Sequence, residues 1–288
     1  MQKLQLHNST ADTYIPVSIG VPVTLESVTH MGVGAHQDDL EIMAYPGILA
    51  CYRRPDLWFA GVTVTNGSGS PRAGMYTQFT DEQMMVVRRK EQRIASEVGE
   101  YSHMIQLDYP SSVVKNPSDT LVAEDLAELF HLMQPDAVYT HNPADKHETH
   151  IGVFVNVVQA LRSLPETERP QRLYGSQVWR DLDWMDDKDK VRLNTSGHPN
   201  LAAALFGVFD SQIEGGKRYD LATTGRWAAC ATYDESHGVD TTTSQTFAMD
   251  LTPLITEPTR DIADFVSTFV AKMGVSVSAA LQKRITKG

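Results

Sequence analysis

Residues 27–41 read SVTHMGVGAHQDDLE. An apolar run (27–35) that stops at a histidine and two adjacent aspartates predicts a β-strand feeding a polar turn. Residues 39–53 then predict a helix, which Pro46 is expected to kink or interrupt. Outward from there the rhythm repeats. LWFAGVTVTNG (57–67) predicts a second strand closed by Asn66-Gly67, and residues 81–99 a helix with Met84, Val87, Ile94 and Val98 on one stripe and Asp81 as N-cap. HMIQLDY (103–109) is a third strand, 121–133 a helix and DAVYTH (136–141) a fourth strand. Residues 146–164 predict a helix with Ile151, Phe154, Val155, Val158 and Leu161 on one face, and RLYGSQVW (172–179) a fifth strand.

Strands alternating with helices imply parallel pairing, because parallel strands need crossover connections. The expected fold is therefore α/β, a Rossmann-like three-layer sandwich with a mostly parallel central sheet and a C-terminal helical extension. Ligands of such sheets bind beyond the carboxyl ends of the strands. Past 180 the pattern changes. Residues 181–200 are polar and Asp-rich, read as a loop or excursion. Residues 200–213 and 216–232 read as helices with a break at Gly215-Gly216, 235–246 as a loop and 247–251 as a short strand. Ile262, Phe265, Val266, Phe269, Val270 and Met273 have helical spacing. With no repeat or interdomain linker, 1–288 reads as one domain, with a core over about 28–180 and an elaboration over 181–288.

Composition excludes several partners. The chain has 288 residues, 41% hydrophobic and 21% charged, with a net charge of −11, and no basic cluster interleaved with aromatics, so nucleic acid and anionic membranes are not expected partners. It has no run of 18 apolar residues, so no membrane span is expected. Two cysteines, Cys51 and Cys230, form neither a thiolate metal motif nor a disulfide framework. Residues 1–20 lack the apolar region of a signal peptide, and the chain reads as cytoplasmic.

Two polar clusters carry the chemistry. In the first, His36 and Asp39 are three residues apart in a turn and can converge on one cation, leaving Asp38 free as a base. The alternative is that both acids cap the following helix. In the second, HNPADKHETH (141–150), His147 and His150 share a helix face that continues as the apolar stripe, so both should face inward. Asp145 has N-cap spacing to Glu148, or else orients a histidine. Together the clusters offer His, Asp and His as three N/O ligands, plus a spare aspartate and a spare histidine. Three protein ligands and an open position suit a catalytic zinc site. Zinc acidifies water, a free carboxylate takes its proton, and a neighbouring histidinium stabilises an oxyanion.

GAHQDDLE followed by THNPADKHETH resembles the LmbE-like, PIG-L-type zinc de-N-acetylases, which carry AHxDD and a later HxxH. VTVTNG, RRKEQRIASEVG and LDYP are weaker matches, and the resemblance spans about residues 28–180. It implies His36, Asp39 and His150 as ligands of one zinc ion, Asp38 as general base and His147 as the oxyanion-stabilising acid. It also implies Arg88 and Asp108 as sugar-binding residues, where an Arg88–Glu91 helix pair and a strand-end turn are the alternatives. Departures are Gln37 for the family's proline, Thr149 for its aspartate before the last histidine, and Pro46-Gly47 for a glycine pair. The expected activity is removal of an N-acetyl group from an N-acetylglucosamine-type substrate, with homo-oligomers common in the family. Rivals are a zinc amidase acting on a larger N-acyl or thiol conjugate, a metal-binding protein without catalysis, and a nucleotide-binding module using GVGAHQ. The last lacks a third glycine, since Gln37 stands there. Lys217, Arg218, Arg226 and His237 lie beyond the resemblance and either reach a substrate or sit on solvated surface.

Overall fold

The computed structural model describes residues 4–17 and 23–285; part of the N-terminal stretch 1–20, expected to hold no signal peptide, lies outside the described residues. Eight strands form one sheet: β1 (Asp12–Tyr14), β2 (His30–Gly34), β3 (Phe59–Thr65), β4 (His103–Tyr109), β5 (Ala137–His141), β6 (Arg172–Ser176), β7 (Lys190–Asn194) and β8 (Gln245–Asp250). Their order is β1-β4-β3-β2-β5-β6-β8-β7. The five central strands are parallel, as expected. β1 closes one edge and β8-β7 the other, all by antiparallel pairing. The segment expected as an excursion, 181–200, thus contains an edge strand. After the buried Lys190 its residues alternate between half-buried and exposed, too polar for a buried-strand signal.

Apolar alternation sends each strand's side chains to two layers. Met31 and Val33 of β2, with Ala60, Val62 and Val64 of β3, pack under α5 (Leu121–Met133) and α6 (Glu148–Ser163). On the other face Phe59, Met104 and Tyr139 pack under α1 (Asp39–Met43), α2 (Tyr45–Cys51), α7 (Pro199–Gly207) and α9 (Tyr219–Thr232). Gly32 lets α1 settle on β2, since a Cβ there would lie 2.9 Å from Leu40 and Phe59 atoms. The helix expected over 39–53 breaks at Ala44 and restarts with Pro46 in the first turn of α2, where its missing N–H costs nothing.

Helix α3 (Asp81–Val98) departs from expectation in two ways. Its N-cap is Thr80, in a reciprocal capping box with Gln83, and not Asp81. Its buried face is Met84, Arg88, Glu91, Gln92, Ala95 and Ser96, while Ile94 is 42% exposed. The face is polar because it backs onto the site described below. Short helices α4 (Ser111–Val114), α8 (Asp210–Ile213) and α10 (Pro253–Thr256) fill turns. The last helix, α11 (Ile262–Ile285), extends well past the predicted stripe. Phe265 is buried in the core, with Ile262, Val266 and Phe269 packed beside it, whereas residues 270–285 are all exposed. By length and composition alone α11 is apolar enough to cross a membrane, a test that core helices of soluble proteins and signal sequences also pass. Cys51 and Cys230 are free and buried.

Candidate metal centre and active site

The strand order reverses between β2 and β5, and loops leaving the two strands in opposite directions open a crevice there. Both clusters converge in it. His36 and Asp39 follow β2, His141 ends β5, and His147 and His150 open α6. His36 Nδ1 lies 3.1 Å from His150 Nε2 and 3.2 Å from Asp39 Oδ2, and His150 Nε2 lies 3.4 Å from the same oxygen. Bonds of about 2.0–2.2 Å in a tetrahedron place donors about 3.3–3.6 Å apart, so the three atoms fit one small divalent ion. Burial keeps the His36 imidazole below its ordinary pKa, which leaves its lone pair free for a ligand at neutral pH.

The adjacent aspartates point to different places. Burial alone would raise the Asp39 carboxyl, but His150, His141 and a hydrogen bond with His36 hold it well below the ordinary range. Its Oδ2 also accepts from the His36 backbone N–H at 2.7 Å. Asp38 takes the N-cap position of α1 without capping it, in a left-handed conformation with φ 113°. That strain turns its side chain away from the helix and into the cleft. Its Oδ2 lies 3.3 Å from Arg88 Nη2. Burial pushes the Asp38 carboxyl well above the carboxylate range, opposed by Arg88 and reinforced by Asp39, Glu41 and Glu91. From behind, Gln92 accepts from the Asp38 N–H and donates to buried Glu41.

The remaining imidazoles are fixed by hydrogen bonds. His141 Nε2 accepts from the Ala35 N–H at 2.9 Å and lies 3.4 Å from Asp39 Oδ2, so with Asp39 and His150 it forms a second set of donors that could hold a metal ion. His150 Nδ1 faces Asp145 Oδ2 at 3.5 Å, an arrangement that leaves Nε2 to a metal. Asp145 is thus not the helix cap. His147 is, its Nδ1 accepting from the Thr149 N–H at 3.2 Å. The neutral ring then carries its proton on Nε2. Burial, with His36 and His150 nearby, pushes His147 down to about 4, so a neutral N–H donor faces the cleft and not the expected histidinium. Asp145 also accepts from the backbone N–H groups of His147 and Trp179.

The cleft holds about 520 Å³. His36, Asp38, Asp39 and His147 form its floor, and Trp179, Lys217, Tyr219 and Arg226 part of its walls. Arg88 reaches it, but is buried and largely spent on Asp38, Glu91, Ser211 and the Gln37 carbonyl. Gly67, at φ 76°, leaves room for this, since a Cβ would lie 2.9 Å from Arg88 Cβ. Asp108 is not brought to the cleft. It accepts from Thr10 and pairs with Arg89 at 2.6 Å on another surface; its φ of 63° turns it out of the strand. His237 lies in an exposed loop and does not line the cleft. The aromatic-cationic wall was the part sequence reasoning left open, since its residues follow no motif.

Residues 31–161 match the family described as PIG-L: GlcNAc-PI de-N-acetylase. The matched stretch is under half of the chain and is similar to that family in its sequence. It contains His36, Asp39 and His150, and the activity in the family's description is hydrolysis of an N-acetyl amide. The fold is shared with solved structures. One is 4-carboxy-2-hydroxymuconate hydratase from Pseudomonas putida, with TM-score 0.61, 15% identity, and coverage of 78% of this chain and 96% of that one. Another is N,N'-diacetylchitobiose deacetylase from Pyrococcus horikoshii, with TM-score 0.61, 13% identity, and coverage of 79% and 85%. A third is a conserved protein from Thermus thermophilus, with TM-score 0.58, 18% identity, and coverage of 81% and 99%. No curated protein matches the chain by sequence.

Proposed function

We propose that the protein is a zinc-dependent de-N-acetylase acting on an N-acetylated amino sugar or its conjugate. The observation that carries this is the trio of donor atoms from His36, Asp39 and His150, 3.1–3.4 Å apart, with the Asp38 carboxyl beside them and outside the trio. Zinc, which suits a mixed imidazole–carboxylate set, would polarise the amide carbonyl and lower the pKa of a water. His150, held by Asp145, and His36, beside Asp39, would keep the ion in place. Asp38, made basic by burial, accepts a proton from the attacking water; a cation next door favours its ionised form beforehand. His147 Nε2–H donates to the carbonyl oxygen as negative charge gathers there, a role that needs no positive charge on the ring. As the C–N bond breaks, Asp38 returns the proton to the leaving nitrogen, and acetate and the free amine depart. Arg88 holds the Asp38 side chain in place, a positioning role more than a sugar contact.

A cleft of about 520 Å³ sits within the ~300–1,000 Å³ typical of drug-sized ligands, which favours a conjugate over a lone sugar ring. The test is metal analysis paired with acetate release from N-acetylglucosamine conjugates and from analogues with bulkier acyl groups. Zinc at one ion per chain and release of acetate ahead of longer acids are expected. Faster release of the longer acids would replace this reading with a broader amidase, and no metal uptake would remove it.

A further inference from the structure

Resting on that reading, we propose that the wall facing the metal-binding cluster is an anion subsite, so that the part of the substrate released with the amine carries a carboxylate or phosphate. Lys217 and Arg226 hold that anion, and Trp179 supports the adjoining apolar or ring surface.

The wall is built to the metal centre. The Trp179 N–H donates to Asp145 Oδ2 at 3.2 Å, and the same oxygen faces His150 Nδ1 at 3.5 Å. Lys217 Nζ lies over the Trp179 ring, 5.0 Å from its centroid. Tyr219 meets the ring edge-on at 5.9 Å. Arg226 donates to the Val178 carbonyl, one residue before the tryptophan. Both cations are half-buried and line the cleft.

Charge decides what this wall is for. With 36 acidic and 25 basic residues, spare carboxylates are plentiful. The neighbouring Arg218 takes one, Asp220, at 2.7 Å. Lys217 and Arg226 have no carboxylate within ion-pair distance among the described residues. The cleft's own acids are engaged, Asp38 with Arg88 and Asp39 with imidazoles. Two partly desolvated cations left unpaired in an acidic protein, in the cleft that holds the chemistry, lack a counter-charge that a substrate would bring. Arg226 keeps most of its five N–H donors free for a planar oxyanion.

The experiment titrates the zinc-loaded protein by calorimetry with N-acetylglucosamine, N-acetylglucosamine 6-phosphate and N-acetylmuramic acid, and follows acetate in the same samples. At least one anionic compound is expected to bind about 10-fold or more tightly than the neutral sugar. Which of the two does so names the anion as phosphate or carboxylate. In the Lys217→Gln/Arg226→Gln double variant that ratio is expected to fall below about 3-fold with zinc content unchanged, while Lys217→Arg retains it. Equal binding of all three compounds, or a preference that survives in the double variant, overturns the anion subsite. Absence of acetate from every compound, with the preference present and lost in the double variant, overturns the deacetylase reading and leaves the subsite standing.

Discussion

The two sides of the cleft are made differently. The floor comes from turns at the ends of buried parallel strands, and its donors are fixed by backbone hydrogen bonds, by Asp145 and by the strained Asp38. The wall comes from β6's exit, from the residues just before α9 and from α9 itself, with half-buried aromatic and basic side chains packed on one another. Groups that handle protons and an ion tolerate little displacement. Groups that recognise the rest of a substrate work through area and charge and can vary. The contrast teaches that damage to the floor should appear in turnover and damage to the wall in affinity.

The largest expected effects are on the floor. His150→Ala should lose the ion and with it all measurable acetate release. Asp38→Asn should keep the ion while kcat falls by about 10²–10⁴; metal analysis beside the assay separates the two, and an Asp38→Asn enzyme with near-normal kcat would break the contrast. Next comes His147→Gln, expected to lower kcat by about 10²-fold with metal retained. On the wall, Trp179→Ala should raise KM by roughly 10-fold and leave kcat within about 3-fold, since it removes stacking area and no reacting group. A kcat loss larger than the KM gain would show that the wall also positions the reacting bond.

A pH experiment sharpens the comparison on metal-stripped protein. Burial pushes His141 and His147 from 6.5 down to about 4 in the fold. The unfolded chain therefore binds those protons first as acid is added. Stability from keeping them neutral is complete above about 6.5 and declines as pH falls towards 4. Thermal midpoints recorded across that window should drop, and His147→Gln should flatten part of the drop. The smallest effect is at the far end of the chain. Removing residues 274–288 should move the thermal midpoint by no more than about 2 °C, because the described part of that segment, 274–285, is exposed throughout.

The floor was legible in the sequence and the wall was not, for physical reasons. Parallel strands buried on both faces leave dense apolar runs, and the residues that end them, His36 to Asp39 and His141 to His150, stand out as polar breaks. Helix α3 shows where hydrophobic periodicity misleads. The sequence stripe led to Ile94, which is 42% exposed, because the buried side of the helix is occupied by Arg88, Glu91 and Gln92 behind the aspartates. The His147 cap, in place of an Asp145 cap, depends on which backbone N–H groups each side chain can reach after folding. Asp108 is placed in the sugar pocket only by the resemblance, and the alternative of a strand-end turn residue fits its positive φ and its pairing with Arg89. Lys217 and Arg226 sit some seventy residues past the last motif, and only the return of α9 over the sheet brings them near Trp179.

One carboxylate joins the two sides. Asp145 steadies the imidazole of His150 with one oxygen and receives the Trp179 amide on that same atom. On the proposed reading, loading an ion would therefore also brace the platform on which the substrate's anionic part would rest. A chelator would do more than silence the chemistry: it would loosen the grip, and an emptied protein would make a poor bait for finding its natural ligand.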